Sequence, residues 1–184
     1  MAHRQLLHLK AHLKRGGVCA YPTESCFGLG GLPTHPAAIR RILKLKKRPA
    51  HKGLIVIAHE FKQIQYLLKP LEQTQKQTVF SYWPGPYTFV LEASKRVLPQ
   101  LRGVGNTNLA VRITAHEPAS FLCYWLNSAL ISTSANVAKA RSIKDIRTLK
   151  QKFGQNVLVV QAPLGKSKKP STIIDLKQNK TLRS

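Results

Sequence analysis

The sequence predicts an α/β fold, a mixed sheet with flanking helices built as one domain over residues 1–184. Three observations carry that expectation. Short apolar runs of strand type alternate with longer stretches whose apolar residues recur every three to four positions. Several strands are joined by connections too short to hold a crossover helix, so the sheet is mixed rather than all parallel. No internal repeat and no linker-like segment divides the chain.

Residues 5–15 carry Leu6, Leu9 and Leu13 at helical spacing, and Gly16-Gly17 ends the stretch as a C-cap does. An apolar strand follows over 18–21. Pro22 then removes a backbone donor and pushes Tyr21 toward extended geometry. Thr23, Glu24 and Ser25 stand at its end, followed by Gly28, Gly30 and Gly31, where the backbone is free to turn sharply or approach a ligand. Pro36 sits in the first turn of a second helix, with Ile39, Ile42 and Leu43 on its buried face, and Pro49 stops that helix by disfavouring it at Arg48. A strand spans 54–58. Helices are expected over 60–68 and 72–82, separated at Pro70. Residues 83–86 form a rigid turn, 87–91 a strand, 95–108 a loop, and 109–113 a strand with Arg112 near its end. A helix over 117–127 places Phe121, Leu122 and Trp125 on its apolar side. The apolar run 129–131 ends in Ser132-Thr133-Ser134-Ala135-Asn136. Ser142-Ile143-Lys144-Asp145 resembles a capping box and opens a helix that runs to Phe153. Strands at 157–161 and 171–176 flank a basic loop, and 177–183 is a polar tail.

Lysine and arginine number 30 against 7 acidic residues, a net charge of +23, which selects polyanions or phosphorylated ligands as partners. Hydrophobic content of 43% places the chain among globular rather than disordered proteins. No apolar run approaches the roughly 18 residues that span a membrane, and the N-terminal residues lack the core of a signal peptide. The expected location is the cytoplasm, with no membrane partner. Cys19, Cys26 and Cys123 are odd in number and lack C-x-x-C spacing, so they read as reduced thiols without a zinc site or disulfide framework. The seven histidines show no ligand spacing and are expected to be mostly solvated.

Three polar clusters end apolar strands: Thr23-Glu24-Ser25, residues 132–136, and Ser171-Thr172. Two basic features accompany them, the loop over 46–52 and Arg112. Hydroxyls and amides give directional hydrogen bonds, while Lys and Arg recognise phosphate and carboxylate, a combination suited to a nucleotide plus a small acid. For the loop two readings stay open. Its cations complement a helix C-terminus, or Lys46, Arg48 and Lys52 face a triphosphate. A nucleophile-and-base enzyme is disfavoured, since no Ser, Cys or His has a triad context and carboxylates are few. No Walker A pattern is present.

Further blocks complete the pattern. They are 21–30, Leu45-Lys46-Lys47-Arg48-Pro49 with Lys52-Gly53-Leu54, Trp83-Pro84-Gly85-Pro86-Tyr87-Thr88, Leu109-Ala110-Val111-Arg112, residues 132–136, and Pro170-Ser171-Thr172-Ile173-Ile174-Asp175. In this order, over nearly the whole chain, they resemble the YrdC/TsaC family of bacterial threonylcarbamoyl-adenylate synthases, in its minimal single-domain form. The resemblance implies a twisted sheet around a basic concave cavity. It also implies an activity, the joining of L-threonine, bicarbonate and ATP into threonylcarbamoyl-AMP with release of pyrophosphate. Downstream threonylcarbamoyl-transferase proteins then act on adenosine 37 of tRNAs that read ANN codons. By the same resemblance Lys46 and Arg48 hold the phosphates as the catalytic pair. Ser134 and Asn136 contact nucleotide and phosphate, Ser171 closes over the nucleotide, Thr23 lies near the threonine or its carbamate, and Arg112 pairs with the threonine carboxylate, while Lys52 joins the ATP-binding residues from the basic loop. Mg²⁺ accompanies ATP, held largely by phosphates and water, and no residue is assigned as a metal ligand.

A reading from another class stands beside it: a non-catalytic protein that binds double-stranded or ribosomal RNA during ribosome maturation, motivated by the charge. Aromatic residues are 7% and are not interleaved with the basic ones, a poor stacking platform for single strands. An RNA binder also has no need of Thr23, Arg112, Ser134 and Asn136 at strand ends.

Overall fold

The computed structural model describes residues 3–138, 140–167 and 169–184. Its described strands are β1 (Cys19–Pro22), β2 (Phe27–Gly30), β3 (Ile55–Ala58), β4 (Tyr87–Glu92), β5 (Asn108–Ile113), β6 (Leu130–Ser134), β7 (Leu158–Val159), β8 (Thr172–Asp175) and β9 (Lys180–Arg183). They form one sheet in the order β7-β1-β2-β6-β3-β5-β4-β8-β9. The pairs β7–β1, β3–β5 and β4–β8 are parallel and the others antiparallel, so the sheet is mixed as expected. The described helices are α1 (His3–Lys14), α2 (Pro36–Lys46), α3 (Gln73–Tyr82), α4 (Pro99–Arg102), α5 (Glu117–Leu126) and α6 (Ile146–Phe153). None of them is long and apolar enough to cross a membrane.

Strand alternation divides the core in two. Val18, Ala20, Val56, Ala58 and Ile131 join one cluster with Ile39 and Ile42 of α2, Val79 of α3, and Leu149 and Phe153 of α6. Cys19, Tyr21, Ile57 and Leu130, one step along the same strands, join a second cluster with Leu6, Leu9 and Leu13 of α1 and Leu122, Cys123 and Leu126 of α5. All three cysteines are free and buried, and burial pushes the Cys19 and Cys123 thiols up to about 12. Four histidines are exposed, while His12, His35 and His116 are partly buried.

Several expectations are corrected. Gly28 and Gly30 lie inside β2 rather than at a turn. A Cβ on Gly30 would stand 2.6 Å from the Tyr21 ring, so this glycine makes room for a buried tyrosine whose hydroxyl donates to the Ile131 carbonyl at 3.2 Å. Residues 60–68 form two 3₁₀ turns, Phe61–Gln63 and Gln65–Leu67, instead of an α-helix. Asp145 itself caps α6, accepting from the Thr148 amide at 2.7 Å, so the helix opens at Ile146. On α5 the buried face is Ala119, Leu122, Cys123 and Leu126; Phe121 faces outward and Trp125 is partly covered by Lys10. The tail contains a strand, β9, paired antiparallel to β8. The loop at 95–108 contains α4.

Candidate active site

The sheet face that α1 and α5 cover at one end is open at the other. Cross-strand neighbours set its floor: Ser132 pairs with Ile55, Ile55 with Ala110, Ala110 with Val90, and Val90 with Asp175. All five line a cavity of about 860 Å³, large enough for a nucleotide and a small acid together. Seven cations line it, Arg48, Lys52, Arg102, Arg112, Lys144, Lys169 and Arg183, against the carboxylates Glu24 and Asp175. Asp175 is buried, and its Oδ1 accepts from the amides of Lys177 and Gln178.

One wall is built by the end of α2. The helix stops at Lys47 in a left-handed conformation, which turns Arg48 toward the cavity. Arg48 Nε donates to the Gly53 carbonyl at 2.9 Å and Nη2 to the Lys52 carbonyl at 2.8 Å, fixing the loop that carries Lys52. Lys46 points the other way and is buried. Its Nζ donates to the carbonyls of Ser134 and Asn136 and to Asn136 Oδ1. Ser134 Oγ donates to the same Oδ1 at 2.6 Å, and Asn136 Nδ2 donates to the Ala140 carbonyl at 2.6 Å. Burial, reinforced by the Arg48 charge, pulls the Lys46 ammonium down to about 8.

The opposite wall holds Arg112 on β5. Its Nη1 meets Glu24 Oε1 at 2.9 Å and its Nη2 meets Oε2 at 3.1 Å, a bidentate pair. Thr114 Oγ1 donates to Oε1 at 3.0 Å. Burial alone would raise the Glu24 carboxyl, but the Arg112 charge and these hydrogen bonds hold it below the usual carboxylate range. Glu24 sits in the turn between β1 and β2, closed by the Thr23 amide and hydroxyl, both donating to the Cys26 carbonyl. The backbone of 165–167 crosses this turn: Gly165 N donates to Thr23 O and Ser167 N to Glu24 O, each at 3.0 Å. A Cβ on Gly165 would stand 2.6 Å from the Glu24 backbone, so only glycine allows that approach. Ser171 Oγ contacts Thr88 Oγ1 at 2.9 Å, and the Arg183 guanidinium donates to both the carbonyl and the hydroxyl of Ser171.

Of the residues expected from the sequence, Thr23, Arg48, Lys52, Arg112, Ser134 and Ser171 line the cavity together. Lys46 and Asn136 stand behind its wall, bonded to Ser134. Sequence reasoning passed over Glu24 as a partner of Arg112, and Arg102 and Arg183 as lining cations. The two members of the ion pair lie 88 positions apart, and only strand register brings them together. Arg183 stood in a segment read as a polar tail. No group of three or more His, Cys, Asp or Glu able to hold a metal occurs among the described residues.

The Sua5/YciO/YrdC family model, described as "Telomere recombination", matches residues 11–184. The chain belongs to that family. Among curated members it is 52% identical over 174 residues to the threonylcarbamoyl-AMP synthase of Chromobacterium violaceum, covering 95% of this chain and 90% of that one. It is 46% identical over 175 residues to the threonylcarbamoyl-AMP synthase of Neisseria meningitidis, with 95% and 93% covered. Among solved structures, P. abyssi Sua5 complexed with L-threonine superposes with a TM-score of 0.87 at 29% identity, over 96% of this chain. The chain spans about half of that protein, 52% of its length. E. coli YciO shares the fold, with a TM-score of 0.86 over 100% of this chain and 90% of its own, at 22% identity.

Proposed function

We propose that the chain is a threonylcarbamoyl-AMP synthase, which joins L-threonine, bicarbonate and ATP and releases pyrophosphate. One observation carries the reading: a single cavity has a phosphate-type wall, with Arg48, Lys52 and the Ser134 hydroxyl, facing a wall with a carboxylate-binding arginine, Arg112. Relatives at 46–52% identity that bear this activity support it. The chain 1–184 acts as one unit, since its described strands share one sheet.

The chemistry asks for positioning rather than a protein nucleophile. A carbamate oxygen on the threonine nitrogen attacks the α-phosphorus, a new P–O bond forms, and the bond to the β-phosphate oxygen breaks. Arg48 and Lys52 neutralise charge on the transferring and leaving groups. Ser134 orients the nucleotide, Thr23 and Arg112 hold the amino acid, and Ser171 closes over the nucleotide under the grip of Arg183. Lys46 and Asn136 serve the phosphates by holding Ser134 in place. Mg²⁺ is part of the ATP substrate. Phosphates and water hold most of its coordination positions.

The product serves transferase proteins that modify tRNA in the cytoplasm. The net charge of +23 draws tRNA or other RNA to the surface, with an affinity that falls as salt rises. The test is pyrophosphate release from ATP, with and without L-threonine and with and without bicarbonate. Release that needs both supports the synthase. A folded protein with neither release nor ATP binding overturns it and moves the RNA-binding reading ahead. In the same assay Arg48→Ala abolishes turnover; full turnover would remove Arg48 from the phosphate site.

A further inference from the structure

The Glu24–Arg112 pair has an asymmetry that its role as a salt bridge does not explain. The guanidinium side chain is 6% exposed and the carboxylate 23%, so the member that faces the cavity is the acid. The other lining carboxylate, Asp175, is buried and has an oxygen committed to two backbone amides. Glu24 is thus the accessible negative charge in a lining that carries seven cations. Such a cavity selects anions everywhere except at this point. Arg112, meanwhile, is not exhausted: each Nη gives one contact to Glu24, and its buried Nε has no partner. Arginine has five N–H donors in two forks, so a second carboxylate can share the same guanidinium.

We propose that Glu24 recognises the α-ammonium of the amino-acid substrate, so that Glu24 and Arg112 together read a zwitterion. This rests on the reading of Arg112 as the partner of the threonine carboxylate. The Arg112–Glu24 pair is electrically neutral, as is the zwitterion, so the match is between two dipoles rather than two net charges. A simple hydroxy acid of the same shape gains Arg112 but faces Glu24 across its α-carbon without a cation. An amino alcohol gains Glu24 and lacks the partner for Arg112. Glu24 is therefore a specificity-determining residue. Held in its ionised form by Arg112 and Thr114, it attracts the ammonium without serving as a strong base for its proton.

The experiment is a calorimetric titration of the full chain in the presence of α,β-methylene ATP. The probes are L-threonine, 3-hydroxybutanoate (threonine without its amino group) and threoninol (threonine with an alcohol in place of its carboxylate). In the wild type, 3-hydroxybutanoate binds at least about tenfold more weakly than threonine. Glu24→Gln keeps the size and a hydrogen-bonding oxygen but removes the charge. It weakens threonine and threoninol about tenfold or more and leaves 3-hydroxybutanoate equal or tighter, a split that a merely structural loss does not produce. Equal weakening of all three ligands, or of none, overturns the proposal. Where Glu24→Gln fails to fold by circular dichroism, the wild-type ligands decide: 3-hydroxybutanoate binding as tightly as threonine overturns it. A wild type that binds nucleotide but not threonine overturns the reading of Arg112 and this inference with it.

Discussion

Lys46 and Arg112 stand at opposite walls of one cavity and are almost equally buried, at 4% and 5% exposure. Their charges are accommodated in different ways. Arg112 faces a carboxylate, in two parallel contacts to Glu24. Lys46 has no anion in its hydrogen-bond shell. Three neutral oxygens from Ser134 and Asn136 accept hydrogen bonds from its ammonium, which burial, with the nearby Arg48 charge, destabilises. The difference teaches what each wall is for. A cation already neutralised by an acid can accept a ligand by sharing that acid's place. A cation whose donors are all spent on backbone and amide oxygens holds a turn in shape.

The comparison breaks most sharply at Lys46. Lys46→Met leaves three acceptors behind the wall without their donor and is expected to cost about 3 kcal/mol of stability. Pyrophosphate release is lost with it, because Ser134 and Asn136 are no longer held. A chemical melt together with the release assay checks both. Unchanged stability would mean that these contacts are not what anchors the turn.

Arg112→Lys comes next. A point charge replaces a fork, so the bidentate geometry goes while the charge remains. The threonine KM is expected to rise roughly tenfold with the ATP KM unchanged. An unaltered threonine KM takes Arg112 out of that contact.

A smaller effect distinguishes the two cations by pH. The Lys46 value of about 8 in the fold lies below its ordinary 10.5. Between those values the unfolded chain holds more protons than the folded one, so this residue makes stability rise as pH climbs from about 8. Cys19 and Cys123, lifted from 9.0 to about 12, act in the opposite direction above pH 9, because there the unfolded chain has released their protons. The gain is therefore read between pH 8 and 9, as the melting midpoint of the wild type minus that of Lys46→Met. A flat or falling difference contradicts the buried ammonium.

The smallest effect is at the surface pair of Lys69 and Glu92, 2.8 Å apart but well exposed. Glu92→Gln is expected to leave the melting midpoint unchanged within error, since water and salt screen such pairs. A clear shift would show that distance alone, rather than burial, ranks the ion pairs of this protein.

Much of the fold was legible because its punctuation is local. Gly16 and Pro36 mark helix boundaries in the structure as they do in the sequence, and Pro49 follows the end of α2. What was not legible depends on partners far along the chain. Lys180, Thr181, Leu182 and Arg183 are all exposed, so no apolar alternation announced β9; it exists because β8 offers an edge. Residues 60–68 show apolar spacing of three and four, which suits an α-helix. Instead, bonds from Gln63 to Glu60, Leu67 to Ile64 and Leu68 to Gln65 tighten the backbone into 3₁₀ turns. At the site, polar clusters at strand ends stood out as residue types. Which hydroxyl or ammonium faces the cavity did not, because residues as close as Lys46 and Arg48, on either side of the left-handed Lys47, leave one helix end in different directions.

The last strands also set a timetable. Residues 172–175 complete the edge of β4, and they leave the ribosome about 80 residues after Glu92 does, a delay of roughly 4–16 s at about 5–20 residues per second. Gly165 and Ser167, which roof the Glu24 turn, arrive in the same late interval, and Arg183, which grips Ser171, later still. The residues that begin the cavity are thus made well before those that finish it. Until residues 165–183 emerge, a nascent chain of this protein carries basic surface with its substrate chamber still unassembled.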